Sequence, residues 1–381
     1  GKFYVWSETE LREILTPEQF DRIADAFHIN PKGNFRDEAT GRETGLNILH
    51  RIGADALEVA DPSDAVDQSD AKEDGLMGEL SALLAILKEA RGARPRPLLD
   101  DKLLTDWNGL MMAALAASGR IFGDPSMLSM AQAAGRFLRE FCVDGEGRLW
   151  HRVKGDEAAI QGMADDYAFV IWGFLELYEA MGEPADLEMA VRVHRAFRRY
   201  FWDDGGDGNG YFFTPSDGEA LLGRQKEVYD GAIPSANSAA VLNAIRLWHL
   251  TGDSAYDEEA EAILRAFSGT MEAAPAGYAC ALLGQRLRNM QHIEVVICST
   301  EVAKDAAMRM LDVLRGQDRY RCHIILKTTE NAAALEELVP YSAQYPLEEG
   351  RTAAYVCTNF SCRAPVYSAE ELEELLMGIS S

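Results

Sequence analysis

The chain has 381 residues, 47% of them hydrophobic, and its 37 basic and 62 acidic side chains leave a formal net charge of −25. That balance repels phosphate-rich partners and anionic lipid, which argues against nucleic-acid binding and membrane-surface roles. No apolar run reaches the ~18 residues of a membrane span, and the opening GKFYVWSETE lacks the basic and apolar regions of a signal peptide. Six scattered cysteines suit a reducing, cytoplasmic setting better than a disulfide scaffold. At ~150 residues per domain the length predicts two to three domains or a single large one.

In chain order, 3–6 reads as a strand, 7–15 and 17–27 as short helices, and 61–74 as a polar, acidic loop. A helix over roughly 76–91 carries Leu76, Leu80, Leu83, Leu84 and Leu87 at helical spacing. A repeat follows. Three helix pairs turn at Gly123-Asp124-Pro125, Gly182-Glu183-Pro184 and Gly252-Asp253-Ser254, spaced by 59 and 70 residues. In each, glycine ends the first helix and an acid precedes the second, which suits both termini.

The first members (107–122, 167–181 and 238–250) are apolar nearly all round, as in Phe169, Val170, Ile171, Trp172, Phe174 and Leu175. A helix apolar on every side is buried on every side. The second members (127–142, 186–202 and 256–268) are amphipathic, with Leu187, Ala190, Val191, His194, Phe197 and Phe201 on one stripe of the middle helix. Alternating buried and half-buried helices predict an inner ring wrapped by an outer ring, so the expected fold is mostly α and (α/α)-toroid-like. The links between pairs are long and hold hairpin-like pieces at 148–151 and 210–214.

After a further helix near 275–289 the pattern changes. Strands at 293–298, 322–327 and 353–357 alternate with helices at 301–315, 331–338 and 368–377, which predicts a small parallel α/β segment. The expected division is 1–290 for the toroid portion and 291–381 for the α/β segment. No glycine-rich phosphate fingerprint accompanies it.

Parallel inner helices gather their N-termini at one end of the ring. There stand Asp100-Asp101-Lys102 and Thr105-Asp106-Trp107-Asn108, then Asp165-Asp166-Tyr167, then Lys226-Glu227-Val228-Tyr229-Asp230 with Pro234 to Ser238. Helix capping accounts for one such residue per helix. It does not account for a double Asp before Tyr, or Lys-Glu before Tyr-x-Gly. Carboxylate pairs in a concave site suit general acid/base work, and aromatic rings suit the apolar faces of sugars. His151 lies on a loop at this end, whereas His194 and His249 read as packed or surface residues. None of the seven histidines shows an HxxxH or HxxEH spacing, so no metal site is expected. Cys357 and Cys362 read as structural cysteines, since neither CxxC spacing nor a second ligand pair is present.

The run of motifs GKFYVW (1–6), Gly33-Asn34-Phe35, Asn47-Ile48-Leu49-His50, DDKLLTDWNGLM (100–111), DDYAF (165–169), KEVYDGAIPSANS (226–238) and CTNFSC (357–362) resembles the thioredoxin-domain proteins of the YyaL and spermatogenesis-associated type. The resemblance covers nearly the whole chain. It implies a thioredoxin-like domain, an (α/α)6 toroid like those of N-acylglucosamine 2-epimerases and six-hairpin glycosidases, and a small C-terminal segment. Members carry the thioredoxin-like domain and the first hairpins ahead of the position matching Gly1. The ring in this chain is therefore expected to be incomplete, with a missing N-terminal segment or a second chain completing it.

The functional expectation is a carbohydrate-active protein with a sugar or glycan ligand, glycosidase- or epimerase-like, requiring no cofactor. Asp101, Asp166, Glu227 and Asp230 are the candidate catalytic carboxylates. Lys102, Trp107, Asn108, His151, Asp165, Tyr167, Lys226, Tyr229, Ser235 and Asn237 are the candidate substrate-binding residues. The alternative is a non-catalytic ring that binds a client for the thioredoxin-like domain.

Overall fold

The computed structural model describes residues 2–50, 70–205, 209–315, 317, 320–358 and 361–380. These form two compact units, Gly1–Asp100 and Asp101–Ser381. In the first, β1 (Trp6–Ser7), α1 (Glu8–Ile14), α2 (Pro17–Phe27), β2 (Phe35–Arg36), β3 (Glu43–Asn47) and α3 (Asp70–Gly92) follow in order. Thr16 and Gln19 close a capping box that starts α2, its Pro17 sitting where the missing N–H costs nothing. Trp6, Leu11, Phe20, Ile23, Phe27, Leu80, Leu83 and Leu87 make this unit's core. Helix α3 begins at Asp70, so only 61–69 of the expected acidic loop lies outside the described residues, and 70–74 is helical.

The second unit opens with β4 (Leu103–Leu104), α4 (Thr105–Phe122), α5 (Pro125–Phe137), β5 (Trp150–Lys154), β6 (Glu157–Gln161), α6 (Ala164–Met181), α7 (Pro184–Phe201), α8 (Ala236–Thr251), α9 (Ala255–Ala273) and α10 (Ala279–Arg288). Each expected glycine turn is present. Gly123, Gly182 and Gly252 end α4, α6 and α8 in the left-handed conformation that only glycine adopts without strain. Helices α4, α6 and α8 pack side by side, while α5, α7 and α9 return along them. This is the inner and outer layering of an (α/α) toroid.

Inner packing is close because Gly109 and Gly173 face each other. A Cβ on Gly109 would sit 2.7 Å from the Phe169 backbone, and one on Gly173 would sit 2.8 Å from the Gly109 carbonyl oxygen. Phe169, Phe174, Tyr178, Leu242 and Leu247 are fully buried, as all-round apolar helices must be. Of the two expected hairpin pieces, 148–151 leads into the β5–β6 hairpin, to which β4 adds an edge. The 210–214 piece makes only a single bridge, Trp202 to Tyr211, because Asn237 takes the Tyr211 N–H and carbonyl for itself. The helix expected near 275 begins at Ala279 after a short 3-10 turn at Pro275–Gly277.

The chain ends with β7 (Ile293–Ser299), α11 (Lys304–Arg315), β8 (Cys322–Thr328), α12 (Ala332–Leu338), β9 (Thr352–Thr358), β10 (Ser361–Cys362) and α13 (Ala369–Ser380). The expectation of a parallel sheet needs correction. The order is β10-β9-β7-β8, with β7 and β8 parallel but β9 antiparallel to β7, so the sheet is mixed. The cause lies in the β8–β9 connection. Helix α12 has only seven residues and a 3-10 turn at Pro340–Gln344 follows it, so the chain enters β9 from the opposite end. Cys357 and Cys362 are paired across β9 and β10 and joined by a disulfide. No helix among the described residues is long and apolar enough to cross a membrane.

Candidate active site

A hydrogen bond joins the N-termini of the first two inner helices. The Asp106 N–H at the start of α4 donates to Asp166 Oδ1 at the start of α6 over 3.0 Å. Asp166 is fully buried, and its Oδ2 accepts the Met163 N–H at 2.8 Å, the reach-back half of a capping box. The same carboxylate receives His151 Nδ1 at 3.0 Å from β5. Asp166 therefore ties three elements together, and His151 is left with Nε2 to act outward.

Charge follows from this arrangement. Burial pushes the Asp166 carboxyl up, opposed chiefly by its bond to His151. The bond to Asp166 raises His151 in turn, with Asp106 and Asp165 adding to the effect. Asp106, named in the polar run at this end but not among the site candidates, is 8% exposed; burial raises it while the Trp107 N–H pulls it back. Asp165 is raised as well. Burial pushes its carboxyl up to about 6, reinforced by Glu227, Asp166 and Asp106 and opposed by the Ala236 N–H at the start of α8. Glu227 itself is exposed. A half-buried acid thus faces a solvated one, the environment split that sets two carboxyl groups to different tasks.

The remaining expected residues separate into two groups. Trp107 is 62% exposed on the first turn of α4 and Tyr229 is 66% exposed, so both offer open aromatic surface. Others are committed to holding the frame. Asp230 accepts the N–H groups of Ser235 and Cys280, at 3.0 and 2.8 Å. Ser235 caps α8 through Ser238, and Asn108 binds the Leu104 carbonyl. Asn237 staples the loop through the Tyr211 and Glu227 backbones. Tyr167 is buried, stacked on Phe197, with its hydroxyl accepting the Leu149 N–H. Lys226 turns to Asp203 at 2.5 Å and to the Phe212 ring. Asp101 pairs with Lys154 at the surface, and Lys102 is exposed.

Among the described residues, two clusters bring possible metal donors within 4.8 Å of one another: Asp106, His151 and Asp166, and, away from this site, His249, His292 and His323. Sequence spacing hid both, because their members come from separate elements. In the first, the Asp166 oxygens already accept two backbone N–H groups and His151, so its donors are spent on each other. In the second, the rings stack nearly parallel, His249 over His292 at 3.8 Å and 17°. A cation bound by an imidazole lies near that ring's plane, and stacked planes share no such point. His292 Nδ1 and His323 Nε2 lie 2.9 Å apart, and His249 Nδ1 meets Glu294 at 2.7 Å. Burial lowers His292 to about 4 and puts His323 well below its ordinary value. The cluster is a buried imidazole group between α8 and the sheet, with His249 held against Glu294.

No family model matches the chain. It is 29% identical to the human and 28% identical to the rat Spermatogenesis-associated protein 20, over 99% of this chain and 49% of each relative. The chain thus spans about half the length of these curated relatives. Among solved structures, a GH76 alpha-mannanase of Bacteroides thetaiotaomicron is 16% identical, covering 47% of this chain and 46% of that one, with a TM-score of 0.37. The cellobiose 2-epimerase of Bacillus thermoamylovorans is 13% identical over 69% of this chain and 66% of its own, with a TM-score of 0.39. Over nearly its whole length, the chain is a homologue of the spermatogenesis-associated type that its run of motifs resembles.

Proposed function

We propose that the inner-helix N-termini form a carbohydrate-active site working by general acid/base catalysis. Asp165 is the acid and Glu227 its partner carboxylate. The observation that carries this reading is the Asp165 carboxyl, raised to about 6 by burial and by the facing Glu227. An acid with that value is still substantially protonated near pH 6 and can deliver its proton to a leaving oxygen. Glu227, exposed to solvent, acts on the sugar or on an attacking water. The separation of the two carboxyl groups across a bound sugar decides between retention and inversion in such chemistry.

Asp166 is a positioning residue, since its oxygens hold Met163, Asp106 and His151. His151, its value raised by the bond to that carboxylate, offers a donor to a substrate hydroxyl. Trp107 and Tyr229 supply faces for sugar rings. The test is turnover of a broad panel of glycosides and disaccharides by the parent, Asp165→Asn and Glu227→Gln proteins. Turnover by the parent that both variants lose supports the reading. Turnover that both variants keep, or none by a folded parent, sinks it.

A further inference from the structure

Away from the inner-helix N-termini, three polar side chains are buried around one small cavity without the partners that burial demands. Arg120, in the last turn of α4, is 4% exposed, and its Nε and Nη2 find no acceptor. The hydroxyl of Tyr178, 1% exposed, has no partner. Glu179 is 7% exposed; Arg246 engages its Oε1 at 3.2 Å and leaves Oε2 unpaired. All three line a cavity of about 270 Å³ between the C-terminal end of α6 and the C-terminal sheet. Its other walls include Leu128, Leu311 and Ile324. A wider cleft of about 360 Å³ shares Met181, Gly182, Met308 and Leu326 with it and forms its approach.

Arg120 has Glu179 as a charge neighbour, but its Nε and Nη2 make no hydrogen bond, and a buried donor without an acceptor loses its hydration without return. A carboxylate is the acceptor that matches the guanidinium fork. A bare carboxylate would also meet Glu179 Oε2 and be repelled. A ligand with a donor on the carbon next to its carboxylate answers both groups, and an apolar tail fills the rest. Arg315 lines the same cavity and adds a second positive charge, although it is also paired with Asp312.

We infer that this cavity is a binding site for a small apolar α-amino or α-hydroxy acid, its carboxylate on Arg120 and its donor on Glu179 and Tyr178. The site shares none of its lining residues with the proposed carbohydrate site.

The test measures thermal shift and calorimetric binding with leucine, with its hydroxy-acid analogue leucic acid and with leucinamide. The proteins are the parent, Arg120→Met and Leu326→Trp. At least one of the two acids raises the melting temperature of the parent, and leucinamide does not. Which acid does so tells the amino from the hydroxy class. Arg120→Met weakens that binding by about tenfold or more, the scale of a lost charge-assisted hydrogen bond. Leu326→Trp, which narrows the approach without changing charge, weakens it too and guards against a folding defect in the first variant. The inference is overturned if neither acid shifts the parent, or if both variants bind as the parent does. A crystal structure soaked with leucine or leucic acid that shows only ordered water on Arg120, Tyr178 and Glu179 also overturns it.

Discussion

Two polar regions of the second unit use similar side chains to opposite ends. At the inner-helix N-termini, Asp106, Asp165, Asp166 and His151 sit beside open aromatic surface and the exposed Glu227. Between α8 and the sheet, His249, His292, His323, Glu294 and Arg246 are all 2% exposed or less. In the open region, carboxyl groups are pushed up and an imidazole is raised by its carboxylate partner. In the sealed region, burial lowers His292 and His323, and Arg246 is clamped by Glu176 and Glu179 at 3.1 and 3.0 Å. Partial burial tunes a group to exchange protons with a substrate. Complete burial fixes its state and turns it into a packing element.

The largest effect that would break this contrast is catalytic. Asp165→Asn is expected to cost about 10²- to 10⁴-fold in turnover of whichever sugar the parent accepts, measured by steady-state kinetics. The same variant reports on stability. Because the folded-state value of Asp165 is raised, its contribution is present below pH ~4 and lost as pH rises through about 6. The parent therefore loses melting temperature over that window relative to Asp165→Asn.

Next comes Arg246→Met in the sealed region, which removes the guanidinium that Glu176 and Glu179 share. A loss of about 3–5 kcal/mol is expected in urea unfolding, as for a broken buried ion pair. If the protein is unaffected, the region is wetter than its burial implies. A smaller effect is expected from Asp166→Asn. It weakens the cap of α6 by about 1–2 kcal/mol and lets the His151 value, read by NMR titration, fall toward its ordinary ~6.5. His151 stays elevated in the variant if Asp106 and Asp165 hold it instead.

The smallest effect is in acid. The folded-state value of His292 is depressed to about 4, so its contribution is full above pH ~6.5 and is lost as pH falls through that window. His292→Gln removes part of this slope, whereas a stack that already carried a proton would show none.

Much of the architecture was legible because it depends on local chemistry. Gly123, Gly182 and Gly252 announce left-handed caps, and the apolar girth of 167–181 announces an inner helix. The direction of β9 was not legible, since an alternating strand–helix pattern is the same whether the last strand runs up or down. Helix α12 looked like a crossover but is too short to carry the chain back across the sheet. At the candidate site, the Asp165-Asp166 pair stood out, yet its division of labour did not. One residue of rotation about α6 turns Asp166 into the core and leaves Asp165 facing Glu227. Asp106 stood in the polar run before the first inner helix without being a site candidate, because its contact with Asp166 comes from an element sixty residues away.

The sequence by itself determined the helical hairpins, their inner and outer order and the end at which polar groups collect. Helix periodicity, glycine caps and burial all act over a few residues, and each leaves a local trace. Only the tertiary structure decided which carboxyl is buried against a neighbour, which histidines stack, and which arginine is left without a partner. Those properties depend on desolvation and on distances between residues far apart in the chain. His249, His292 and His323 meet from α8, the turn before β7 and β8, and no spacing in the sequence encodes their approach.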